Sequence, residues 1–106
     1  MAARAPVVCE VSGRAGRYRL AGSAGYANAR QLLEDGRRHF GGEARAELDL
    51  GGLTALDSAG LAVLVTWLAE AQAGRRELAY SGLPDTLVPA ARVAGVERLL
   101  GAATPA

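Results

Sequence analysis

Residues 48–73 read LDLGGLTALDSAGLAVLVTWLAEAQA, and within this stretch the spacing of the apolar side chains changes once. Leu48 and Leu50 flank Asp49 with the two-residue alternation of a half-buried strand, and Gly51-Gly52 interrupts it. Farther on, Leu61, Leu64, Val65 and Leu68 fall at i, i+3, i+4 and i+7, the spacing of one helical face. The stretch therefore reads as strand, loop, helix. Asp57 or Ser58, at the join, is the natural N-cap, because either short oxygen side chain can accept a hydrogen bond from the first free N–H groups of the helix. At the far end Gly74 suits the left-handed residue that closes a helix, and Arg75-Arg76 place positive charge beside its carbonyl end.

The flanking sequence repeats this alternation of elements. Residues 6–12 and 17–20 read as two short strands joined by a hairpin turn at Gly13-Arg14-Ala15-Gly16. A turn over residues 22–25 leads to a helix that begins at Ala27 or Asn28, carries Ala29, Leu32, Leu33, Gly36 and Phe40 on one face, and ends at Gly41-Gly42. The strand over 45–50 precedes the central helix, and a strand over 77–81 follows it, stopped by Gly82 and Pro84. A third helix is expected over about 87–94, capped by Asp85 or Thr86, with Pro89 in its first turn and Gly95 closing it. Residues 96–100 suit one more amphipathic turn, and residues 101–106 a frayed tail. Strand-helix-strand units imply parallel pairing through right-handed crossovers. The expected architecture is α/β, a small mixed sheet of about four strands with helices packed mainly on one face, in a single domain spanning residues 1–106.

Composition removes several classes of function. The net charge is +1, without the basic excess that marks a nucleic-acid binder. Half the residues are hydrophobic but only 5% are aromatic, so Ala, Leu and Val must build most of the core. Every basic residue is Arg, and without Lys no phosphate-binding loop of the Gly-Lys-Ser/Thr kind can form. Cys9, the single cysteine, lies in the apolar run Val7-Val8-Cys9-Glu10-Val11 and reads as a small core residue with no metal or disulfide partner. His39 sits among Arg37 and Arg38 near a helix end and has no second ligand close in sequence. No Gly-x-Ser-x-Gly surrounds Ser58, so a hydrolase elbow has no support, and a catalytic use of Asp57 and Ser58 would lack a positioned base. Pro6 and Glu10 interrupt any signal-peptide run, and no segment has the roughly 18 uncharged apolar residues of a membrane span. The expectation is a cytoplasmic domain that has no cofactor or metal, does not insert directly in a membrane and is not an enzyme.

Asp57-Ser58-Ala59-Gly60 remains. As plain structure it is a capped helix start; as a functional element it presents a serine hydroxyl near the carboxyl edge of a sheet, where the helix dipole tolerates a phosphate. Leu48-Asp49-Leu50 followed by Leu56-Asp57-Ser58-Ala59-Gly60-Leu61 entering an apolar helix resembles the STAS domain family, found among anti-sigma factor antagonists and sulfate-transporter tails. In the antagonist branch the resemblance implies a phosphoacceptor at Ser58, modified by an anti-sigma factor kinase; Ala59 departs from the second hydroxyl residue usual there. The run Gly82-Leu83-Pro84-Asp85 with Ala91-Arg92-Val93-Ala94-Gly95-Val96-Glu97-Arg98-Leu99-Leu100 is similar to MlaB-type STAS subunits of bacterial phospholipid-transport ABC systems. That branch implies a non-enzymatic accessory subunit that binds the cytoplasmic ATPase of a transporter and, with its permease, works at the inner face of the plasma membrane.

Projection of the central helix at about 100° per residue puts Val63, Thr66, Trp67 and Glu70 opposite the Leu61, Leu64, Val65 and Leu68 face. Trp67 then has two readings, cover beneath a neighbouring loop or terminal helix, or an exposed interface anchor, and the resemblance favours the second. The expected partner surface comprises Thr54, Asp57, Ser58, Ala59, Val63, Thr66, Trp67 and Glu70.

Overall fold

The computed structural model describes residues 9–93 and 95–96. Its elements are β1 (Cys9–Arg14), β2 (Arg17–Ala24), α1 (Ala29–Phe40), β3 (Arg45–Leu56), α2 (Ser58–Ala73), β4 (Glu77–Ser81), a 3-10 turn (Asp85–Leu87) and α3 (Val88–Val93). The four strands form one mixed sheet in the order β1-β2-β3-β4, with β1 antiparallel to β2 and the other two pairs parallel. The hairpin closes through Ala15 and Gly16, both at positive φ (57° and 83°), the handedness that a two-residue turn between twisted strands requires. Residues 97–106, where a final helical turn and a frayed tail are expected, lie outside the described residues.

One face of the sheet is apolar and the other is wet. Cys9, Val11, Tyr18, Leu20, Ala46, Leu48, Leu50 and Tyr80 are buried on the face that meets α1 and α2. Glu10, Ser12, Arg17, Arg19, Arg45, Glu47, Glu77 and Ser81 alternate with them and are exposed. On this open face charges are largely matched across strands: Arg19 reaches Asp49 at 3.4 Å and Arg45 reaches Glu77 at 3.1 Å. Such exposed pairs add little stability but keep the face from carrying a single-sign field. Burial pushes the Cys9 thiol up to about 11, as suits a small core residue.

β3 is longer than the apolar alternation suggests. The register against β2 slips between the pairs Arg19↔Asp49 and Ala21↔Gly52, and again between Gly22↔Leu53 and Ser23↔Ala55. Each slip adds one residue to β3, so Leu50, Leu53 and Leu56 all turn inward although they are spaced by three. Gly51-Gly52, expected to end the strand, instead carries it on: Gly51 lies in the first bulge, where the Asp49 carboxylate accepts its N–H at 2.8 Å, and Gly52 resumes the pairing opposite Ala21. β2 likewise continues to Ala24, so both central strands extend to the loop that precedes α2.

The expectation that Val63 and Trp67 face outward is overturned. Val63 is 4% exposed and Trp67 2%, both within the core. α2 is enclosed on more than one side: the buried positions are Gly60, Leu61, Val63, Leu64, Trp67 and Ala71, while Val65 and Leu68 are only half-buried. The Trp67 ring lies against α1, where a Cβ at Gly36 would overlap the indole. Its Nε1–H donates to the Leu33 carbonyl at 3.1 Å, and its ring meets Phe40 edge-on, centroids 5.2 Å apart. On another side the buried Tyr80 hydroxyl donates to the Leu64 carbonyl at 2.7 Å, fastening α2 to β4.

The end of α2 also differs in detail. Arg75, at φ 57°, takes the left-handed position expected of Gly74, and Arg76 donates to the Glu70 carbonyl at 3.2 Å, so one of the basic pair meets the carbonyl end. In the C-terminal segment the 3-10 turn precedes α3, Pro89 falls in the first turn of α3, and Gly95 at φ 75° follows it. Among the described residues no helix is long and apolar enough to cross a membrane.

Replacing Trp67 should therefore cost stability throughout the fold. Trp67→Ala is expected to destabilise the chain by about 3–5 kcal/mol, the range for removing a buried aromatic. Urea unfolding followed by circular dichroism measures it; a loss under about 1 kcal/mol would place the ring at the surface.

Candidate functional site

The carboxyl ends of β2 and β3 meet the start of α2 at one apex of the molecule. The Asp57 N–H donates to the Ala24 carbonyl at 3.2 Å, which brings the end of β2 beside the first turn of α2. Asp57, with extended φ and ψ (−103°, −174°), is the N-cap. Its Oδ1 accepts the Ala59 and Gly60 N–H groups at 2.8 and 3.0 Å, satisfying two of the donors that a helix start leaves open. Its Oδ2 accepts the N–H of Tyr26 at 3.0 Å, so one carboxylate joins the helix to the loop after β2. The bonds from Gly60, Tyr26 and Ala59 hold the Asp57 carboxyl below the ordinary aspartate range.

Ser58 does not cap. It is the first residue of α2, exposed, and its hydroxyl makes no hydrogen bond to the described residues. The division of labour follows from reach: the Asp57 side chain, one position earlier, already fills the N–H groups that a serine cap would have used. The adjoining loop is held from within by Asn28, whose Oδ1 accepts the Gly25 N–H at 3.0 Å and whose Nδ2 donates to the Ser23 carbonyl at 2.8 Å. Gly25 is required there, since a Cβ would come within 2.6 Å of the Asp57 Oδ2.

Of the eight residues expected to form the partner surface, Thr54, Asp57, Ser58 and Ala59 lie together at this apex, Thr54, Asp57 and Ser58 being exposed and Ala59 half-buried. Thr66 and Glu70 lie farther along α2. Thr66 returns its hydroxyl to the Ala62 carbonyl at 2.7 Å. Glu70 forms an ion pair with Arg37 of α1, and that guanidinium holds the Glu70 carboxyl below its usual range. Val63 and Trp67 are core residues and offer no surface. Tyr26, which the sequence reading passed over, stands 89% exposed in the loop tied to Asp57. Its signal was available: a lone aromatic in Gly-Ser-Ala-Gly-Tyr-Ala-Asn, with no apolar neighbour in phase to bury it.

The sequence profile of the MlaB STAS domain family matches residues 8–101. The chain belongs to this family. The mixed sheet with helices on one face is thus that of a STAS domain, and the family assignment gives the chain an accessory or regulatory role exercised through protein–protein contact. No curated protein matches the chain significantly.

Loss of the cap should be measurable apart from loss of binding. Asp57→Ala is expected to cost about 1 kcal/mol, typical of an N-cap deletion. Because folding lowers this carboxyl's pKa, its contribution is fully present above the unfolded value of about 4 and fades as pH falls through the lower folded value. The stability gap between wild type and Asp57→Ala should accordingly be constant near neutrality and shrink below about pH 4 in denaturant titrations. A gap that widens with acid would contradict this arrangement.

Proposed function

We propose that the chain is a non-enzymatic accessory subunit of a bacterial phospholipid-transport ABC system, acting as one domain over residues 1–106. It docks on the cytoplasmic ATPase subunit, with its permease, through the apex formed by Thr54, Asp57, Ser58 and Ala59. The observation that carries this reading is Ser58: an exposed, unengaged hydroxyl on a rigidly capped helix start, in a domain of the MlaB type. Thr66 and Glu70 flank the surface along α2, and Val63 and Trp67 support it from the core. Docking puts the chain at the inner face of the plasma membrane without insertion of its own.

The physical logic is that of a preformed contact. Asp57 fixes both sides of the apex before a partner arrives, so little ordering entropy is lost on binding. A substituent that adds charge at Ser58 must then be desolvated beside the Asp57 carboxylate, whose N–H donors are already taken.

A second reading rests on the same hydroxyl: an anti-sigma factor antagonist switched by phosphorylation of Ser58. Its exposure makes it accessible to a kinase, and a phosphate there would add nearly two negative charges beside the Asp57 carboxylate and change the surface a partner meets. A phosphate on Ser58, found by mass spectrometry after incubation with a cognate anti-sigma kinase and ATP, supports it.

Co-expression with the cognate ATPase subunit separates the two. The wild-type chain should copurify with the ATPase, and Ser58→Asp should weaken the complex by about tenfold or more, roughly 1.4 kcal/mol, with an unchanged melting temperature. Equal recovery of Ser58→Asp and wild type would remove the apex as the docking site.

A further inference from the structure

We propose that Tyr26 is the anchor of the docking apex, and that its ring enters an uncharged socket on the ATPase subunit; this rests on the docking reading above and adds the residue and the chemistry of its partner.

Among the described residues two large hydrophobic side chains stand almost wholly in solvent, Tyr26 at 89% and Val93 at 90%. Single exposed apolar residues are ordinary on protein surfaces. Tyr26 differs from Val93 in what holds it. Its N–H is bonded to the Asp57 Oδ2, the carboxylate that caps α2 next to Ser58. On either side, the Asn28 N–H donates to the Gly25 carbonyl at 3.1 Å, and the Asn28 side chain bonds the Gly25 N–H and the Ser23 carbonyl. The backbone is thus fixed while the ring is left uncovered, although Tyr is a residue that gains from burial of its ring and retains a hydroxyl for one polar contact. An aromatic side chain on a fixed backbone has few angles left to order on binding, and Tyr is among the residues enriched in hot spots.

Charge identifies the occupant. Segments 25–28 and 54–59 contain one ionisable carboxylate or cation, Asp57, and both its oxygens are engaged by backbone N–H groups. Residues 25–28 and 54–59 therefore offer no cation to a nucleic acid or an anionic headgroup, and no unengaged carboxylate to a basic peptide. They offer a ring, small apolar side chains and the hydroxyls of Thr54 and Ser58. The complementary surface is an apolar pocket with a hydrogen-bond acceptor for the phenol, and association through it should depend weakly on salt.

The test is a binding titration of the full chain against the purified cognate ATPase subunit, at about 0.05 M and about 0.5 M NaCl. Tyr26→Ala should weaken binding by about tenfold or more at both salt concentrations, with no change in melting temperature, whereas Tyr26→Phe should stay within about fivefold of wild type and Val93→Ala within about twofold. Ser58→Arg serves as the control for the docking site. If Ser58→Arg abolishes binding while Tyr26→Ala binds like wild type, Tyr26 is not the anchor and the docking site stands. If neither changes binding, the docking reading falls and the anchor with it. Weakening of the wild-type complex by tenfold or more at the higher salt would overturn the uncharged socket.

Discussion

The contact on which the arrangement depends is the seating of the Trp67 indole against Gly36. With no side chain at Gly36, the ring fills the space between α1 and α2, bonded through Nε1 to the Leu33 carbonyl and flanked edge-on by Phe40. Phe40 in turn meets Tyr18 of β2 at 5.6 Å between centroids, so the aromatic contacts run from α2 through α1 to the sheet. In a core made chiefly of Leu, Val and Ala this is its largest side chain, and it fixes the rotation of α2 about its axis. That rotation is why Val63 is buried, while Ala62 and Ala69 face solvent.

The second constraint lies in β3. Its two bulges lengthen the strand without losing inward-facing leucines, so the sheet runs on to Leu56 and hands the chain directly to the cap. A strand that ended at Leu50 would have left a loop of several residues before α2. Instead a single residue, Asp57, intervenes between strand and helix, with both oxygens of its carboxylate accepting hydrogen bonds. Rigidity at the apex thus comes from the sheet. The hydroxyl and the aromatic ring displayed there need no order of their own.

Much of this was legible from local patterns. The element order, the mixed sheet, the inward face of α1 and the cap at Asp57-Ser58 follow from spacings of two and of three to four, from glycine positions and from the short polar residues that close helix ends. The rotation of α2 was not. Between Ser58 and Ala73 the polar residues are Ser58, Thr66, Glu70 and Gln72, and a helix apolar over most of its circumference has no phase from which to read a single buried side. The bulges were hidden too, because leucines spaced by three break the alternation of a strand and Gly51-Gly52 looks like an ending.

The sequence by itself thus determined which segments are strands and helices, the order in which they follow, the serine at the start of α2 and, through its motif, the family. These depend on neighbours a few residues apart. Only the tertiary structure decided that Trp67 and Val63 belong to the core, that Asp57 rather than Ser58 is the cap, and that Tyr26 stands beside it. The cap itself is local, but the seats of Trp67 and Tyr26 depend on groups about thirty residues distant, Gly36 with Trp67 and Tyr26 with Asp57, whose meeting is fixed by packing two helices and a bulged strand together.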